Sequence, residues 1–424
     1  MNLKDSLKKL FSLHQFGIKL GLENIQDILQ YIGNPERSLK AIHIAGSNGK
    51  GSTSSFISSI LIEAGFKTGL YTSPHLVKFN ERIRINGSMM PDDFVVNFMN
   101  ELSEYIDEYS PTFFELTTAM AFKYFADNMV DYAVIETGLG GRLDATNVLT
   151  PLASVITTIS NEHSNILGND LKNIASEKGG IIKNDSNVII GLITDAPKAV
   201  LVDRAINMNS KYFLLEDYIE RKDDSINLSL GHDQIVISDL PLRGRYQLSN
   251  AALAAFTLSV VKPEIKKDEY LRGLKNVIKN SGIQARYEIF HNKPKIIFDA
   301  AHNFEGIEEF LYEFKKESVN YDKVTVIYGT MKDKDYFSIL NELKIVFDTI
   351  YITEIDYERA AKIEEVMEEA NRAGIRIIPM NNPAKYINQF MEGSVSECLV
   401  ILGSIYVLGE IKKKLLNIEL DIKI

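Results

Sequence analysis

The residues best equipped for chemistry lie in one short run, His43-Ile-Ala-Gly-Ser-Asn-Gly-Lys-Gly-Ser-Thr53. An apolar strand, Lys40 to Ala45, feeds a glycine-rich turn, and a helix is expected to begin at once and run to about Glu63. At such a junction the backbone N–H groups of the turn and the helix N-terminus converge on one anion, and the helix dipole adds to the attraction. Gly46, Gly49 and Gly51 permit close backbone approach, Lys50 can carry charge to the β- and γ-phosphates of a nucleotide, and Ser52 can offer a hydroxyl to Mg²⁺. The run departs from the common phosphate loop. G-x-x-x-x-G-K would need glycine at Ile44, and Gly51 separates Lys50 from the hydroxyl. A glycine-rich turn without a ligand is the bland alternative.

Other donors stand at the ends of apolar runs. Glu136 closes DYAVIET, Ser73 follows GLYT, and His163 follows ASVITTIS. In a parallel sheet those ends share one edge, where ligands bind. Oxygen ligands suit Mg²⁺; histidine is less usual for it, and a solvated loop histidine is the alternative for His163. Gly138-Leu-Gly-Gly141 is not a dinucleotide fingerprint, because Leu143 stands where its third glycine belongs. Cys398, the single cysteine, sits in the apolar run CLVIL and reads as a small buried hydrophobe.

The elements that must position these residues alternate. Strand signals at Lys40–Ala45, Asp131–Thr137, Ala153–Ile159 and Val188–Ile193 are separated by helical stretches at Asp92–Tyr109, Phe114–Asp127 and Leu171–Ile182. That alternation predicts βαβ units and a mostly parallel sheet. Ser225 to Leu240 alternates apolar and polar residues about Gly231-His232-Asp233 and predicts an antiparallel hairpin, followed by a helix from Gln247 to Val261. A second alternation follows, with strands at Lys295–Asp299, Lys323–Tyr328, Thr349–Thr353, Ile375–Ile378 and Leu399–Leu402. Helices at Phe304–Lys316 and Ile363–Arg372 lie between them. The expected architecture is an α/β mononucleotide-binding domain over residues 1–284 with a small antiparallel region, then a smaller Rossmann-like α/β domain over 285–424.

Composition sets outer limits. At about 150 residues per domain, 424 residues suggest two or three domains. Hydrophobic residues at 45% and charged residues at 25% are the balance of a globular protein, which excludes general disorder. A net charge of −10 argues against a nucleic-acid partner, which would demand a basic face. The N-terminal residues carry charges every few positions, and no uninterrupted apolar window of about 18 residues occurs. A cytoplasmic protein without a membrane span, monomeric by default, is the expectation.

In this setting GSNGKGST resembles the mononucleotide loop of the Mur ligase superfamily. Five further segments are similar to one branch, the folylpolyglutamate synthases and bifunctional dihydrofolate synthase/folylpolyglutamate synthases. They are YTSPHLVKFNERI (71–83), ETGLGGRLDATN (136–147), LSNAA (248–252), FDAAHN (298–303) and GSIY (403–406). They occur in the family's order across nearly the whole chain. The resemblance implies ATP-dependent ligation of L-glutamate to a folate, or to dihydropteroate, through an acyl phosphate. It places Gly46, Ser47, Asn48, Gly49, Lys50, Gly51, Ser52, Thr53, Asn250, Arg286 and Asp299 on ATP. One Mg²⁺ would be held by Ser52 and Glu136, and a second by Ser73, Glu136 and His163. Lys178 matches a lysine carbamylated in the family, with an unmodified surface lysine as the alternative. Thr112, Phe114, Asp144 and Ala145 would form a pterin pocket, core packing being the alternative for Phe114. His302 and Ser404 would lie near the incoming glutamate. A helix cap is the alternative for Asp299, and loop positions for the other two. Lys50, Lys178 and His302 are the catalytic candidates.

The chain departs from the family pattern at several positions. Ser47 replaces threonine, Glu162 replaces aspartate, Gln284-Ala285 replaces Pro-Gly, Tyr246 replaces histidine and Ala300 replaces glycine. None removes a charged group from the proposed set. The motifs leave open whether dihydropteroate is also a substrate. A cell-wall amide ligase of the same superfamily and a non-catalytic nucleotide-binding protein are the rival readings.

Overall fold

The computed structural model describes residues 1–17, 21–160, 170–231 and 233–418. Eight strands build the first sheet: β1 (Ala41–Ala45), β2 (Thr68–Tyr71), β3 (Ile83–Ile85), β4 (Ser88–Met89), β5 (Tyr132–Glu136), β6 (Ala153–Ile156), β7 (Asn187–Ile190) and β8 (Lys211–Leu214). Their order is β4-β3-β2-β5-β1-β6-β7-β8. All run in one direction except β3, which pairs antiparallel with β2 on one side and with the edge strand β4 on the other. β1 and β5 are buried at every position, which is why they read as continuous apolar runs rather than alternating ones.

Helices Leu3–Ser12, Glu23–Tyr31, Asp92–Glu101 and Phe113–Asp127 cover one face of the sheet. Helices Lys50–Glu63 and Arg245–Val261 cover the other. The helix Lys50–Glu63 is rich in serine yet buried along ten positions, because helices pack on its outer side as well. Ser59 Oγ donates to the Gly273 carbonyl at 2.6 Å, and a Cβ on Gly273 would lie 2.5 Å from Ile60 Cα. Gly273→Ala is therefore expected to cost ~1–3 kcal/mol by overpacking. A urea titration should show a lowered midpoint with unchanged slope, and an unchanged midpoint would contradict the contact.

Three expectations are corrected. The helix expected over Asp92–Tyr109 is two helices, Asp92–Glu101 and Ser103–Tyr109, broken at Leu102 between the weak helix formers Asn100 and Ser103. The helix expected over Leu171–Ile182 ends at Lys178, where the pair Gly179-Gly180 tightens into a short 3₁₀ turn. The antiparallel region has a third strand. β9 (Ile219–Lys222) pairs with β10 (Ser225–Leu230), which pairs with β11 (Asp233–Ile237).

The second domain has six strands: β12 (Glu288–Asn292), β13 (Lys295–Asp299), β14 (Lys323–Gly329), β15 (Thr349–Ile352), β16 (Ile378–Pro379) and β17 (Glu397–Gly403). They lie in the order β12-β13-β17-β14-β15-β16, with only β12 antiparallel. The strand expected at Ile375–Ile378 is instead the two-residue edge strand Ile378–Pro379, overlapping it only at Ile378, and Pro379 has no N–H to donate. Cys398 is buried and free within β17, as expected.

The domains are docked tightly. Leu76 and Val77, from the loop after β2, sink into the second domain's core. A Cβ on Gly409 would collide with the Leu76 carbonyl. Arg245 pairs with both carboxylate oxygens of Glu309, and Arg243 donates to Glu317 at 3.1 Å. Among the described residues, no helix is long and apolar enough to cross a membrane.

Candidate active site

The carboxyl ends of β1, β2, β5 and β6 meet the end of β13 across a cleft of about 780 Å³ lined by both domains. On the first side lies the phosphate loop. Gly46 has φ +149°, and a Cβ there would strike Thr157 Oγ1. Only glycine fits that approach. The loop is stitched to the segment after β6. Ser47 N donates to the Thr158 carbonyl at 2.8 Å, Asn48 N to Thr158 Oγ1 at 2.9 Å, and Thr157 Oγ1 to the Asn48 carbonyl at 2.7 Å. Gly49, at φ +86°, opens the helix Lys50–Glu63, whose first-turn N–H groups find no partner within the helix and face the cleft.

Lys50 is half-buried rather than fully exposed. Its Nζ donates to the Gly46 carbonyl at 2.8 Å and the Ser47 carbonyl at 3.1 Å. Lys178 is 1% exposed, so the surface-lysine alternative is wrong; its Nζ donates to the same Gly46 carbonyl at 2.9 Å. The reason is the helix end at Gly179, which turns the lysine toward the phosphate loop instead of solvent. Thr53 is fully buried beneath the loop.

Glu136 is the buried acid of the site. Its Oε2 accepts from Ser73 N at 3.0 Å, and its carboxylate lies below the backbone of Gly51. Burial raises its pKa, opposed by Lys50, the Ser73 N–H, Arg286 and Arg82. Glu136, Ser52 and Ser73 thus share one corner of the cleft. One buried carboxylate flanked by two hydroxyls is a hard-oxygen set that fits Mg²⁺, which takes one or two carboxylates with phosphate and water oxygens completing its shell. Among the described residues no cluster of three or more His, Cys, Asp or Glu offers a self-sufficient metal cage. His163 lies outside the described residues.

The second domain faces this corner with Arg286, Asp299, His302 and Asn303. Arg286 is flanked by Ala285 and Tyr287 at φ +54° and +49°, left-handed conformations that cost non-glycine residues energy. Asp299 Oδ2 accepts from Tyr287 N at 2.6 Å and Oδ1 from Ala301 N at 2.8 Å. Burial lifts its pKa to about 6, against the pull of Arg286 and those amides. Asp299 caps no helix; Asn303 caps Phe304–Ser318 instead, and its Nδ2 reaches Asn48 Oδ1 at 3.0 Å across the cleft. His302 Nδ1 lies 2.9 Å from the Ala300 carbonyl, an acceptor, which places the proton on Nδ1. Asn250 crowds Gly49 from the helix Arg245–Val261.

The remaining candidates are more scattered. Thr112 caps the helix Phe113–Asp127, its Oγ1 accepting from Glu115 N at 3.2 Å. Phe114 is partly exposed; it packs against the core beside Tyr71 and against Gly138, a cleft residue. Asp144 is buried, and its carboxylate is taken by Gly138 N, Leu139 N, Thr146 N and Thr146 Oγ1; it organises the 138–146 loop. Ala145 begins the turn beside it and is 7% exposed. Ser404 lies next to the cleft residue Ile405, but its hydroxyl caps the helix Ile405–Leu415. A second hollow of about 700 Å³, between helix Glu23–Tyr31 and the start of β1, contains none of these groups.

Several residues escaped the sequence reading: Thr157, Thr158 and Ser160 behind the phosphate loop, Asn303, and the cleft residues Arg221 and Arg245. The hydroxyl-rich end of ASVITTIS was a usable signal for the first group. Arg221 had none.

Models of two protein families match the chain: the Mur ligase middle domain over residues 44–258 and the Mur ligase glutamate ligase domain over 285–405. Fold and site together define an ATP-dependent amide ligase of the Mur type. Among relatives, the chain is 32% identical over 417 residues to the dihydrofolate synthase/folylpolyglutamate synthase of Bacillus subtilis, covering 95% of this chain and 96% of that protein. It is 30% identical to the folylpolyglutamate synthase of Lacticaseibacillus casei, covering 98% and 99%. The structure of E. coli FolC in complex with DHPP and ADP superposes with a TM-score of 0.88 at 28% identity, covering 98% of each chain. The chain belongs to the dihydrofolate synthase/folylpolyglutamate synthase family.

Proposed function

We propose that the protein joins L-glutamate by an amide bond to a folate, and to dihydropteroate, at the expense of ATP. The observation that carries this reading is the meeting of the phosphate loop, Glu136 and Ser73 with Asp299 and His302 of the second domain across one cleft. A carboxylate is a poor acyl donor. Phosphorylation by the γ-phosphate of ATP releases ADP and leaves an acyl phosphate. The glutamate amine then attacks the acyl carbon, phosphate departs, and the nitrogen loses a proton. Positioning and charge neutralisation carry such phosphoryl transfer. Lys50 and the first turn of its helix cradle the phosphates. Ser52 with Glu136, and Ser73 with Glu136 and His163, would hold Mg²⁺, which would supply further positive charge when bound. Asn250, Arg286 and Asp299 hold the nucleotide, His302 and the Ser404 turn face the glutamate, and Phe114 with the 138–146 loop walls the pterin. The protein works in the cytoplasm as a monomer.

Lys178 carries a carbamate in this reading. Its ammonium and that of Lys50 would otherwise crowd one carbonyl, at 2.9 and 2.8 Å, and like charges so placed repel. Conversion of Lys178 to an anion replaces repulsion by attraction. Density beyond Nζ in a nucleotide-bound crystal is the expected result; a bare amine there contradicts it.

Asp299 gives a pH test. With its pKa at about 6, it is ionised at pH 7.5 and mostly protonated at pH 5. Protonation removes the negative charge facing Arg286, so the KM for ATP is expected to rise as pH falls through 6. Asp299→Asn should bind ATP more weakly throughout and lack this component of the profile. Parallel profiles for variant and native protein would contradict the role. The reaction itself is tested with dihydropteroate and reduced folates, each with ATP and glutamate, read by mass spectrometry. Glutamylated product with ADP release is expected, and ADP release with UDP-linked precursors alone would overturn the reading.

A further inference from the structure

The cleft is also lined by Leu192, Ile226 and Leu248, which supply apolar wall, and by Arg221 and Lys222 of β9 with Asp223 of the turn that follows it. Arg221 lies on β9, directly opposite Ile226 of β10, so the two side chains share one face of the three-stranded sheet. Its Nη2 donates to Ser249 Oγ, on the helix that carries Asn250 against Gly49. Among the described residues no carboxylate pairs with Arg221. An exposed guanidinium tethered to Ser249, the residue before Asn250, and set beside apolar cleft wall is suited to the face of a flat heterocycle.

We propose that Arg221 stacks on the purine ring of the bound nucleotide, with Leu192 and Leu248 closing on the ring, so that the small antiparallel sheet is the base-recognition element. This inference rests on the reading of the cleft as the ATP site. Arg221→Ala is expected to raise the KM for ATP ~3- to 30-fold, the range of a cation–π contact, while the KM for glutamate stays unchanged. Titration calorimetry should show ATP, ADP and AMP weakened by the same factor, because they share the base. Arg221→Lys, which keeps the charge and loses the plane, should recover at most part of the affinity. An unchanged KM for ATP overturns the inference. So does a loss seen with ATP and ADP but not AMP, which would put the guanidinium on the phosphate chain, or full rescue by lysine. If the native protein binds ADP but ligates nothing, the proposed reaction fails while the binding comparison still decides the role of Arg221.

Discussion

Lys50→Ala is expected to lower ligation turnover by at least ~10³-fold while the protein stays folded. In the proposed reaction the lysine is the cation that the phosphate loop itself brings to the transferred group, and removal of such a charge from phosphoryl transfer has effects of this size. Its structural share is smaller. Nζ gives up two hydrogen bonds, to the Gly46 and Ser47 carbonyls, in a half-buried setting, a loss of about 1–2 kcal/mol. Alanine at the first position of the helix Lys50–Glu63 does not oppose helix formation. Far-UV circular dichroism should therefore match the native protein. Turnover within tenfold of native would contradict the assignment of this loop to ATP.

Glu136→Gln separates function from stability in the opposite sense. The amide keeps an oxygen for the Ser73 N–H but loses the charge that would hold divalent metal. Turnover is expected to fall ~10²- to 10³-fold, and added Mg²⁺ should not restore it. In chelator, the variant should be at least as stable as the native protein. Burial raises the Glu136 pKa above its ordinary value, so the folded state prefers the neutral form and loses stability as pH rises above the carboxylate range. A neutral isostere removes that cost. Native-like turnover with unchanged Mg²⁺ dependence would exclude the metal role, and a clear loss of stability at pH 7.5 would contradict the electrostatic account.

How much of this was legible depends on whether the signal was local. The phosphate loop, β1 and the helix after it could be read because strand, turn and helix start are written in eleven consecutive residues. The approach of Ser73 and Glu136 followed from a simple rule, that parallel strands end at one edge. Local pattern alone could not place Lys178, which only the family resemblance singled out. Its neighbours in ASEKGG are those of a solvated helix end, and only the packing of Gly179-Gly180 against Leu201 and Arg142 carries it under Gly46. β9 was invisible for a related reason: IERK has no alternation, and its conformation is imposed by pairing with β10. A helix cap was the alternative for Asp299 because aspartate before a helix is often one; here the N–H groups of Tyr287 and of Ala301, two residues on, take its carboxylate. The docking of Leu76 and Val77 into the second domain was likewise beyond any local pattern.

The account stands on the claim that this cleft activates an acid by phosphorylating it. The direct measurement uses a folate or dihydropteroate whose carboxylate carries oxygen-18, incubated with the full-length protein, ATP, Mg²⁺ and glutamate. Transfer of one labelled oxygen into inorganic phosphate per amide formed is the predicted result. Amide product with all label lost elsewhere, or unlabelled phosphate throughout, would contradict it.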